Sequence, residues 1–377
     1  MTDFTYESAL PAGIRSRYVD NTNGLRMHVL EAGFETPNRP VALLLHGFPE
    51  LAFSWRDVML GLANRGWRVL APDQRGYGAT TGWTNAYDCN LSEYRLLNLV
   101  RDTIGLVGAL EIDHVNMLVG HDFGAILAPW CSLTRPDIFK SLVLMSAPFQ
   151  GPPALPVPAD APRLDIHADL ASLPRPRKHY QHYYSTRPAN RDMQYCEQGV
   201  HAFLRAYFHV KSADWDGNKP HKLGAWEAPE LARLPTYYVM DLTADMAATV
   251  APYMPSQQSV DACQWLPEAA LRVYSEAFEH TGFQGGLNWY RARASGQFAP
   301  ELQIFAGATI DVPSMFIAGA SDWGAFQTPG ALEAMRTRAL TRMHGCHLID
   351  GAGHWVQQEQ SEAVLGRLLE FTRTLET

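Results

Sequence analysis

The sequence predicts an α/β protein with a doubly wound, mostly parallel sheet that is interrupted by one long helical insertion. Short apolar runs rich in β-branched residues alternate with longer helical patterns, which is typical of a parallel sheet covered by helices on both faces. The runs are apolar almost throughout, as expected of strands that are buried on both sides. This alternation of strand-like and helix-like segments stops between about residues 149 and 305 and then resumes. We therefore expect one sheet built from two separated stretches of sequence.

These patterns predict six strands, five helices and a division into a core and an inserted domain. The predicted strands are Val41–His46, Arg68–Asp73, His114–Gly120, Ser141–Ser146, Ser314–Gly319 and His347–Asp350. The predicted helices are Trp55–Asn64, Leu91–Leu110, Phe123–Thr134, Pro329–Leu340 and Gln357–Leu375. The stretch from about residue 149 to 305 is rich in Pro, Tyr, His and Trp and has no buried-strand runs, which favours a helical insertion. The predicted domains are a core in two parts, residues 1–148 and 306–377, and an inserted helical domain at residues 149–305.

Composition and charge exclude several classes of protein. The chain has 377 residues, 46% of them hydrophobic and 19% charged, which is ordinary for a globular protein. Its net charge of −8 argues against a nucleic-acid partner, because phosphate binding requires an excess of Lys and Arg. We find no signal peptide and no uninterrupted apolar stretch of about 18 residues. The five scattered cysteines predict reduced thiols, so we expect a cytoplasmic protein. The sequence leaves the oligomeric state open, and a homodimer is among the states that it allows.

The segment GHDFG at residues 120–124 has the frame of a nucleophile elbow, with Asp122 at its centre where Ser is usual. A predicted strand precedes the segment and a predicted helix follows it, as this motif requires. The two glycines allow a sharp turn and close packing of the strand against the helix. The alternative is an ordinary glycine-bounded turn in which Asp122 caps the helix.

Two further side chains complete an expected triad. Nucleophile-elbow enzymes place their partners in the chain order nucleophile, acid, histidine. Asp322 comes just after the strand SMFIAG, and His354 follows the last predicted strand within GAGHW. The sequence therefore predicts a triad of Asp122, Asp322 and His354 at one edge of the sheet. Asp350 competes for the acid position, but its place at a strand end favours a structural role.

The loop HGFP at residues 46–49 supplies part of an expected oxyanion hole. Such a hole uses one backbone N–H from this loop and the N–H of the residue after the nucleophile. The predicted donors are therefore Phe48 and Phe123, whose side chains are unconstrained by this role. The bond between Phe48 and Pro49 is a candidate cis peptide.

A carboxylate in the nucleophile position predicts substitution at saturated carbon. A carboxylate displaces a leaving group from sp³ carbon and becomes an ester, which a histidine-activated water can hydrolyse. Epoxides and alkyl halides both fit this chemistry, and neither requires a cofactor. His179 with His182, and His344 with His347, have spacings that suit a metal, but no third ligand is found, so no metal site is predicted.

Five motifs resemble the epoxide hydrolase branch of the α/β-hydrolase superfamily: HGFPE (46–50), DQRGYG (73–78), GHDFGA (120–125), GGLNWYR (285–291) and GAGHW (351–355). The resemblance covers roughly residues 20–375 and implies an α/β-hydrolase fold whose helical cap covers the active site. It also implies two cap tyrosines that donate hydrogen bonds to the epoxide oxygen. Tyr290 in NWYR matches one of them, and Tyr183 in HYQHYY is the best match for the other, with Tyr180 and Tyr184 as competitors. Substrate contacts are implied for Trp55, His46 and Pro49.

Two other functions stay open at this point. Haloalkane and haloacid dehalogenases resemble this pattern, but Phe123 stands where many of them have a halide-binding Trp, and Phe48 where they have Asn or Glu. Fluoroacetate dehalogenases typically carry Arg after the nucleophile, which is absent here. A ligand-binding protein that has lost catalysis is opposed by the intact elbow, acid and histidine. We expect an epoxide hydrolase that takes a small apolar epoxide and water, without cofactor, nucleic acid or membrane span.

Overall fold

One eight-stranded sheet forms the centre of the protein in the computed structural model, which describes residues 9–155 and 165–375. Three short stretches of the predicted domains lie outside the described residues, namely 1–8, 156–164 and 376–377. The strands are β1 (Ile14–Asp20), β2 (Arg26–Ala32), β3 (Val41–Leu45), β4 (Arg68–Pro72), β5 (Met117–His121), β6 (Leu142–Met145), β7 (Arg177–His179), β8 (Val239–Asp241), β9 (Ser314–Gly319) and β10 (Met343–Ile349). The order across the main sheet is β1-β2-β4-β3-β5-β6-β9-β10, and β7 pairs only with β8.

Most neighbours in the main sheet are parallel, and β2 is antiparallel to both β1 and β4. All six predicted strands lie in this sheet, with ends that differ by a few residues at most. The sequence analysis missed β1 and β2, because neither is a continuous apolar run. β2 contains Glu31, whose buried carboxylate pairs with Arg15 at 2.7 Å and with Arg68 at 2.8 Å.

Helices cover the sheet and build most of the insertion. Those before the insertion are α1 (Arg56–Ala63), α2 (Leu96–Ala109) and α3 (Phe123–Thr134). Those within it are α4 (Ile166–Ala171), α5 (Tyr180–Tyr184), α6 (Pro188–Gln194), α7 (Gly199–Lys211), α8 (Ala228–Leu231), α9 (Met246–Val250), α10 (Gln257–Ala262), α11 (Glu268–Thr281), α12 (Gln284–Ala294) and α13 (Ala299–Leu302). The chain ends with α14 (Ala331–Ala334), α15 (Val356–Glu359) and α16 (Ser361–Arg373). Among the described residues, no helix is both long and apolar enough to cross a bilayer.

The two faces of the sheet carry separate apolar layers. On one face, α1 and α16 pack against the strands through side chains such as Met59 and Leu368. On the other face, the layer is continuous from the sheet through α2 and α3 into the insertion, where it includes Phe203 and Tyr184. The insertion therefore sits on the same apolar layer as α3, directly beside the turn that precedes this helix.

Candidate active site

Asp122 occupies a sharp turn between β5 and α3. Its φ of 50° and ψ of −111° lie outside the regions that L-residues ordinarily adopt. A Cβ atom on Gly120 would lie 2.1 Å from the carbonyl oxygen of Gly124, and one on Gly124 would lie 2.1 Å from that of Leu45. Only glycine fits at both positions, so GHDFG forms the tight strand–turn–helix that its sequence predicts.

His354 lies between two carboxylates. Its Nδ1 is 3.1 Å from Asp322 Oδ1, and its Nε2 is 3.6 Å from Asp122 Oδ2. The side chains of His354 and Asp322 are almost completely buried, whereas that of Asp122 is 14% exposed. An Nδ1–H that donates to Asp322 leaves Nε2, on the side of Asp122, free to accept a proton. The structure thus brings together the three residues of the predicted triad.

The sheet topology explains why residues so distant in sequence converge. Asp122, Asp322 and His354 follow β5, β9 and β10, and these strands run parallel with only β6 inserted between them. The carboxyl ends of parallel strands meet at one edge, where α/β sheets place their ligands. Asp350, the competing acid, is exposed at the end of β10, and no contact within the described residues joins it to His354.

Both carboxylates of the triad are ionised near neutral pH. Burial opposes ionisation of Asp122, but His354 and the Lys211 ammonium hold the pKa of this carboxyl well below its usual range. Burial also opposes ionisation of Asp322, and again His354 keeps the pKa of the carboxyl below its usual value. Asp122 is therefore in the form that a nucleophile requires, and Asp322 in the form that orients an imidazole.

The loop after β3 approaches the same carboxylate. The N–H of Phe48 donates a hydrogen bond of 3.0 Å to Asp122 Oδ1, and the bond from Phe48 to Pro49 is cis. A Cβ on Gly47 would lie 2.3 Å from Cβ of Asp122, so the loop needs glycine there. Phe123 is the first residue of α3, and its role as the second N–H donor stays a prediction.

Tyr183 is not at this site, which corrects the assignment made from HYQHYY. Its hydroxyl donates to Asp192 Oδ2 at 3.1 Å, and its side chain lines a separate pocket that Lys178 also borders. Within the described residues no ring contact joins Tyr183 to Tyr290, whereas the other two tyrosines of α5 both contact Tyr290.

Tyr180 and Tyr184 both lie beside Tyr290, with ring centroids 6.0 and 5.0 Å from that of Tyr290. The Tyr184 hydroxyl donates to that of Tyr207 at 3.2 Å, whereas the Tyr180 hydroxyl donates to Gln327 Oε1 at 3.2 Å and the phenol is within reach of the charge of Asp122. Burial and then the charge of Asp122 raise the pKa of Tyr180 above its usual value. Burial, followed by the neighbouring Tyr180 and Asp122, also raises the pKa of Tyr290. Both phenols are therefore protonated at neutral pH and can donate to an oxygen that develops negative charge.

Two of the three predicted substrate contacts are wrong. Trp55 is fully buried in the apolar layer on the opposite face of the sheet. His46 is also fully buried: its Nδ1 is 2.9 Å from the carbonyl oxygen of Gly47, and its Nε2 accepts from the N–H of Gln74 at 3.2 Å. His46 therefore supports the loop instead of facing a ligand. Pro49 is buried beside Phe48, and its substrate contact stays a prediction.

Glu50 and His121 form a buried ion pair to which the sequence analysis gave no role. Glu50 Oε2 lies 2.5 Å from His121 Nδ1, and both side chains are inaccessible. Burial lowers the pKa of His121, but the carboxylates of Glu50, Asp122 and Asp322 together raise it by more, so the net shift is upward and favours imidazolium. His121 Nε2 is 2.7 Å from the carbonyl oxygen of His354, so the pair supports the loop that carries His354. The signal was present, because these residues lie inside HGFPE and GHDFG.

Glu359 fixes the same loop from its other side. Burial raises the pKa of Glu359 to about 8. Its carboxyl group accepts hydrogen bonds from the N–H groups of Gly353 at 2.8 Å and Trp355 at 2.9 Å. The N–H of His354, between them, donates to the carbonyl oxygen of Lys211 at 2.9 Å. Three consecutive N–H groups are thus held, which fixes the imidazole relative to the nucleophile turn.

Known proteins with similar sequences identify the family. A family model described as the alpha/beta hydrolase fold matches residues 40–176. Epoxide hydrolase A of Mycobacterium tuberculosis is 33% identical over 369 residues, which cover 96% of this chain and 98% of that protein. This chain belongs to the epoxide hydrolase family. The epoxide hydrolase of Caballeronia sordidicola is 31% identical, and the match covers 98% of this chain and 97% of that protein.

Solved epoxide hydrolase structures share the architecture over nearly the whole chain. An epoxide hydrolase from an endophytic Streptomyces has a TM-score of 0.76 and 30% identity, with 97% of each chain covered. Epoxide hydrolase I of potato (Solanum tuberosum) has a TM-score of 0.72 and 27% identity, with 96% of this chain and 99% of that chain covered. The similarity to other epoxide hydrolases therefore includes the insertion as well as the sheet.

Proposed function

We propose that this member of the epoxide hydrolase family converts an epoxide and water into a vicinal diol through an ester on Asp122. The observation that carries the proposal is the ionised carboxylate of Asp122 in a nucleophile turn, 3.6 Å from His354 Nε2. The charge of this carboxylate also acts on two protonated phenols, those of Tyr180 and Tyr290. The phenols of Tyr180 and Tyr290 provide what an opening epoxide needs, a proton donor for its oxygen. The names of the relatives support the same substrate class.

The first step forms the ester. One oxygen of Asp122 attacks an epoxide carbon, and the bond between that carbon and the epoxide oxygen breaks. The bonding electrons go to the epoxide oxygen, which takes a proton from Tyr180 or Tyr290 and becomes a hydroxyl group. The products are a hydroxyalkyl ester on Asp122 and a tyrosinate, and the substrate oxygen stays on the substrate.

The second step hydrolyses the ester. His354, oriented by Asp322, takes a proton from a water molecule whose oxygen attacks the carbonyl carbon of the ester. The N–H groups of Phe48 and Phe123 stabilise the resulting oxyanion. Collapse expels the diol oxygen, which takes the proton from His354. The carboxyl group of Asp122 then ionises, and its proton restores the tyrosinate, so the net reaction is addition of one water.

The placement of the tyrosines supports a role for residues 149–305 as a cap. Tyr180 lies on α5 and Tyr290 on α12, both in the insertion, whereas Asp122 belongs to the sheet. A substrate that meets all three side chains therefore lies between the core and the cap. A cytoplasmic location is part of the same proposal, because the five cysteines are all free, which suits a reducing compartment.

A product assay tests the proposed function. The protein is incubated with styrene oxide, and separately with 1-bromobutane, and the diol and bromide are measured. We expect phenylethanediol to form catalytically and no bromide to be released. Bromide release without diol formation would instead favour a dehalogenase. Saturable binding of both compounds without turnover would favour a ligand-binding protein.

Phenylalanine substitutions test the corrected tyrosine assignment. Tyr180→Phe and Tyr290→Phe should each slow ester formation by about ten- to a thousandfold, because each removes a preorganised donor to the departing oxygen. Tyr183→Phe is the matched control: it removes the same group from the same short helix and should leave ester formation unchanged. Stopped-flow tryptophan fluorescence in single turnovers provides the measurement. A larger loss in Tyr183→Phe than in Tyr180→Phe would restore the original assignment.

A further inference from the structure

The hydroxyl groups of Tyr180 and Tyr290 have different surroundings, although the proposed ester formation can use either phenol. The Tyr180 hydroxyl has two amide partners: it accepts a hydrogen bond from Gln181 Nε2 at 3.1 Å and donates one to Gln327 Oε1 at 3.2 Å. The Tyr290 hydroxyl has no hydrogen-bond partner in the part of the chain that the structure describes. The ring of Tyr290 packs instead against Phe123, with centroids 4.4 Å apart.

A buried phenol that gives up its proton needs a hydrogen-bond donor, because negative charge is left on its oxygen. The Nε2–H of Gln181 already donates to the Tyr180 oxygen and can stay in place when that oxygen becomes anionic. A hydrogen bond to a charged group is stronger than one between neutral groups, so this bond strengthens as the proton leaves. Within the described residues no such donor reaches the Tyr290 oxygen, so an anion there would be buried without a partner.

Gln327 holds the phenolic proton of Tyr180 in the free protein. It lies on the loop after the triad acid Asp322, and its backbone N–H donates to the carbonyl oxygen of Trp323 at 2.7 Å. The epoxide oxygen needs the proton that Gln327 Oε1 accepts, so it must replace this oxygen as the acceptor during ester formation. An amide carries both an acceptor and two N–H donors, so after a half-turn the same side chain can donate to the phenolate.

The charges near the two phenols favour Tyr180 as the one that ionises. Burial raises the pKa of Tyr180, and Asp122 adds to this rise. The hydrogen bond from Gln181 and the charge of Arg293 act in the opposite direction. Burial also raises the pKa of Tyr290, and the neighbouring phenols and Asp122 raise it as well. Once Asp122 is an ester, its negative charge has passed to the phenolate, so its opposition ends while the attraction of Arg293 continues.

We infer that Tyr180 is the phenol that gives up its proton and that Gln181 is the positioning residue that stabilises the resulting tyrosinate, while Tyr290 keeps its proton and only donates a hydrogen bond. This inference rests on the proposed function and assigns the proton transfer that its first step leaves open. The O–H bond of Tyr180 breaks, its electron pair stays on the Tyr180 oxygen, and the proton forms an O–H bond to the epoxide oxygen. After ester hydrolysis, the proton from the carboxyl group of Asp122 restores the phenol.

A double-mutant cycle on ester formation tests this division of roles. Single turnovers of styrene oxide are measured for Gln181→Met alone and combined with Tyr180→Phe or Tyr290→Phe. Gln181→Met should slow ester formation by about ten- to a hundredfold, because it removes a charge-assisted hydrogen bond to the tyrosinate. It should slow the Tyr290→Phe protein by a similar factor. It should change the Tyr180→Phe protein by less than about threefold, because residue 180 then has no oxygen to stabilise.

Two further variants separate this role from an effect on folding. Gln181→Glu keeps the length and shape of the side chain but places acceptor oxygens beside the phenol, so ester formation should be slower than in Gln181→Met. Gln297→Met makes the same change at an exposed glutamine of the insertion and should match the wild type. Ester hydrolysis should change far less than ester formation in both Gln181 variants, because His354 activates the water of that step.

Three outcomes would overturn the inference while leaving the proposed function intact. Equal slowing by Gln181→Met with and without the Tyr180 hydroxyl would show that the amide has only a structural role. Slowing that persists in Tyr180→Phe but disappears in Tyr290→Phe would make Tyr290 the phenol that ionises. Ester formation at the wild-type rate in both Gln181 variants would show that the amide stabilises no charge. If the wild-type protein forms no ester at all, the proposed function fails, and this inference fails with it.

Discussion

Asp122→Ala is expected to lower kcat with styrene oxide by about ten-thousandfold or more. The substitution removes the only group that the proposed first step uses to attack the epoxide. His354 could then act only on a water aimed at the epoxide itself, without the nearby ester that brings water and carbonyl together. Diol formation at saturating substrate provides the measurement, with circular dichroism to establish that the variant folds.

A second variant separates the loss of a nucleophile from the loss of the turn. Asp122 has a φ of 50°, so its backbone strain is also present in Ala. Asp122→Asn keeps the shape of the side chain and can still accept the hydrogen bond from the N–H of Phe48. It should retain the unfolding midpoint of the wild type and yet lose turnover. Turnover near the wild-type level in Asp122→Asn would contradict the role of the carboxylate.

His354→Gln is expected to trap the ester. Asp122 can still attack the epoxide, but no group remains to take a proton from the hydrolytic water, so kcat should fall by about ten-thousandfold while the first step persists. Intact-protein mass spectrometry should show the addition of one epoxide per chain, and digestion should place it on the peptide that contains Asp122. A variant that forms no adduct, with both steps lost equally, would contradict this division of roles.

The triad could be predicted because each of its residues has a local signal. Asp122 stands in a five-residue frame between a strand and a helix, and Asp322 and His354 each follow a strand in the expected order. Parallel strands place such residues at one edge of the sheet whatever the sequence between them. The long insertion therefore did not disturb the prediction, and the structure places Asp322 and Asp122 3.1 and 3.6 Å from the two nitrogens of His354.

The sequence did not show which tyrosine of α5 accompanies Tyr290. Tyr180, Tyr183 and Tyr184 share one helix of five residues, which is too short for its pattern to show which face is buried. All three are buried, and only the partners of their hydroxyls differ: Tyr183 donates to Asp192, Tyr184 to Tyr207 and Tyr180 to Gln327. Which tyrosine faces the nucleophile depends on how the cap docks on the core, and no local motif encodes that contact.

Lys211 and its aromatic cage show the same limit more clearly. The cage unites Tyr207 from the same helix, Tyr238 from a later loop and Trp355 from the far end of the chain. In the sequence, Lys211 ends an amphipathic helix, where a solvated side chain is the ordinary expectation. Its burial depends on contacts between residues that are far apart in the sequence.

The central claim, an ester on Asp122, is tested most directly by a single turnover of styrene oxide in ¹⁸O-water with protein in excess. We predict a diol that contains no label from the first turnover, because its new oxygen comes from Asp122, and label in the peptide that contains Asp122. Label that enters the diol directly in that turnover, with none in the protein, would contradict the account, because water would then attack the epoxide itself.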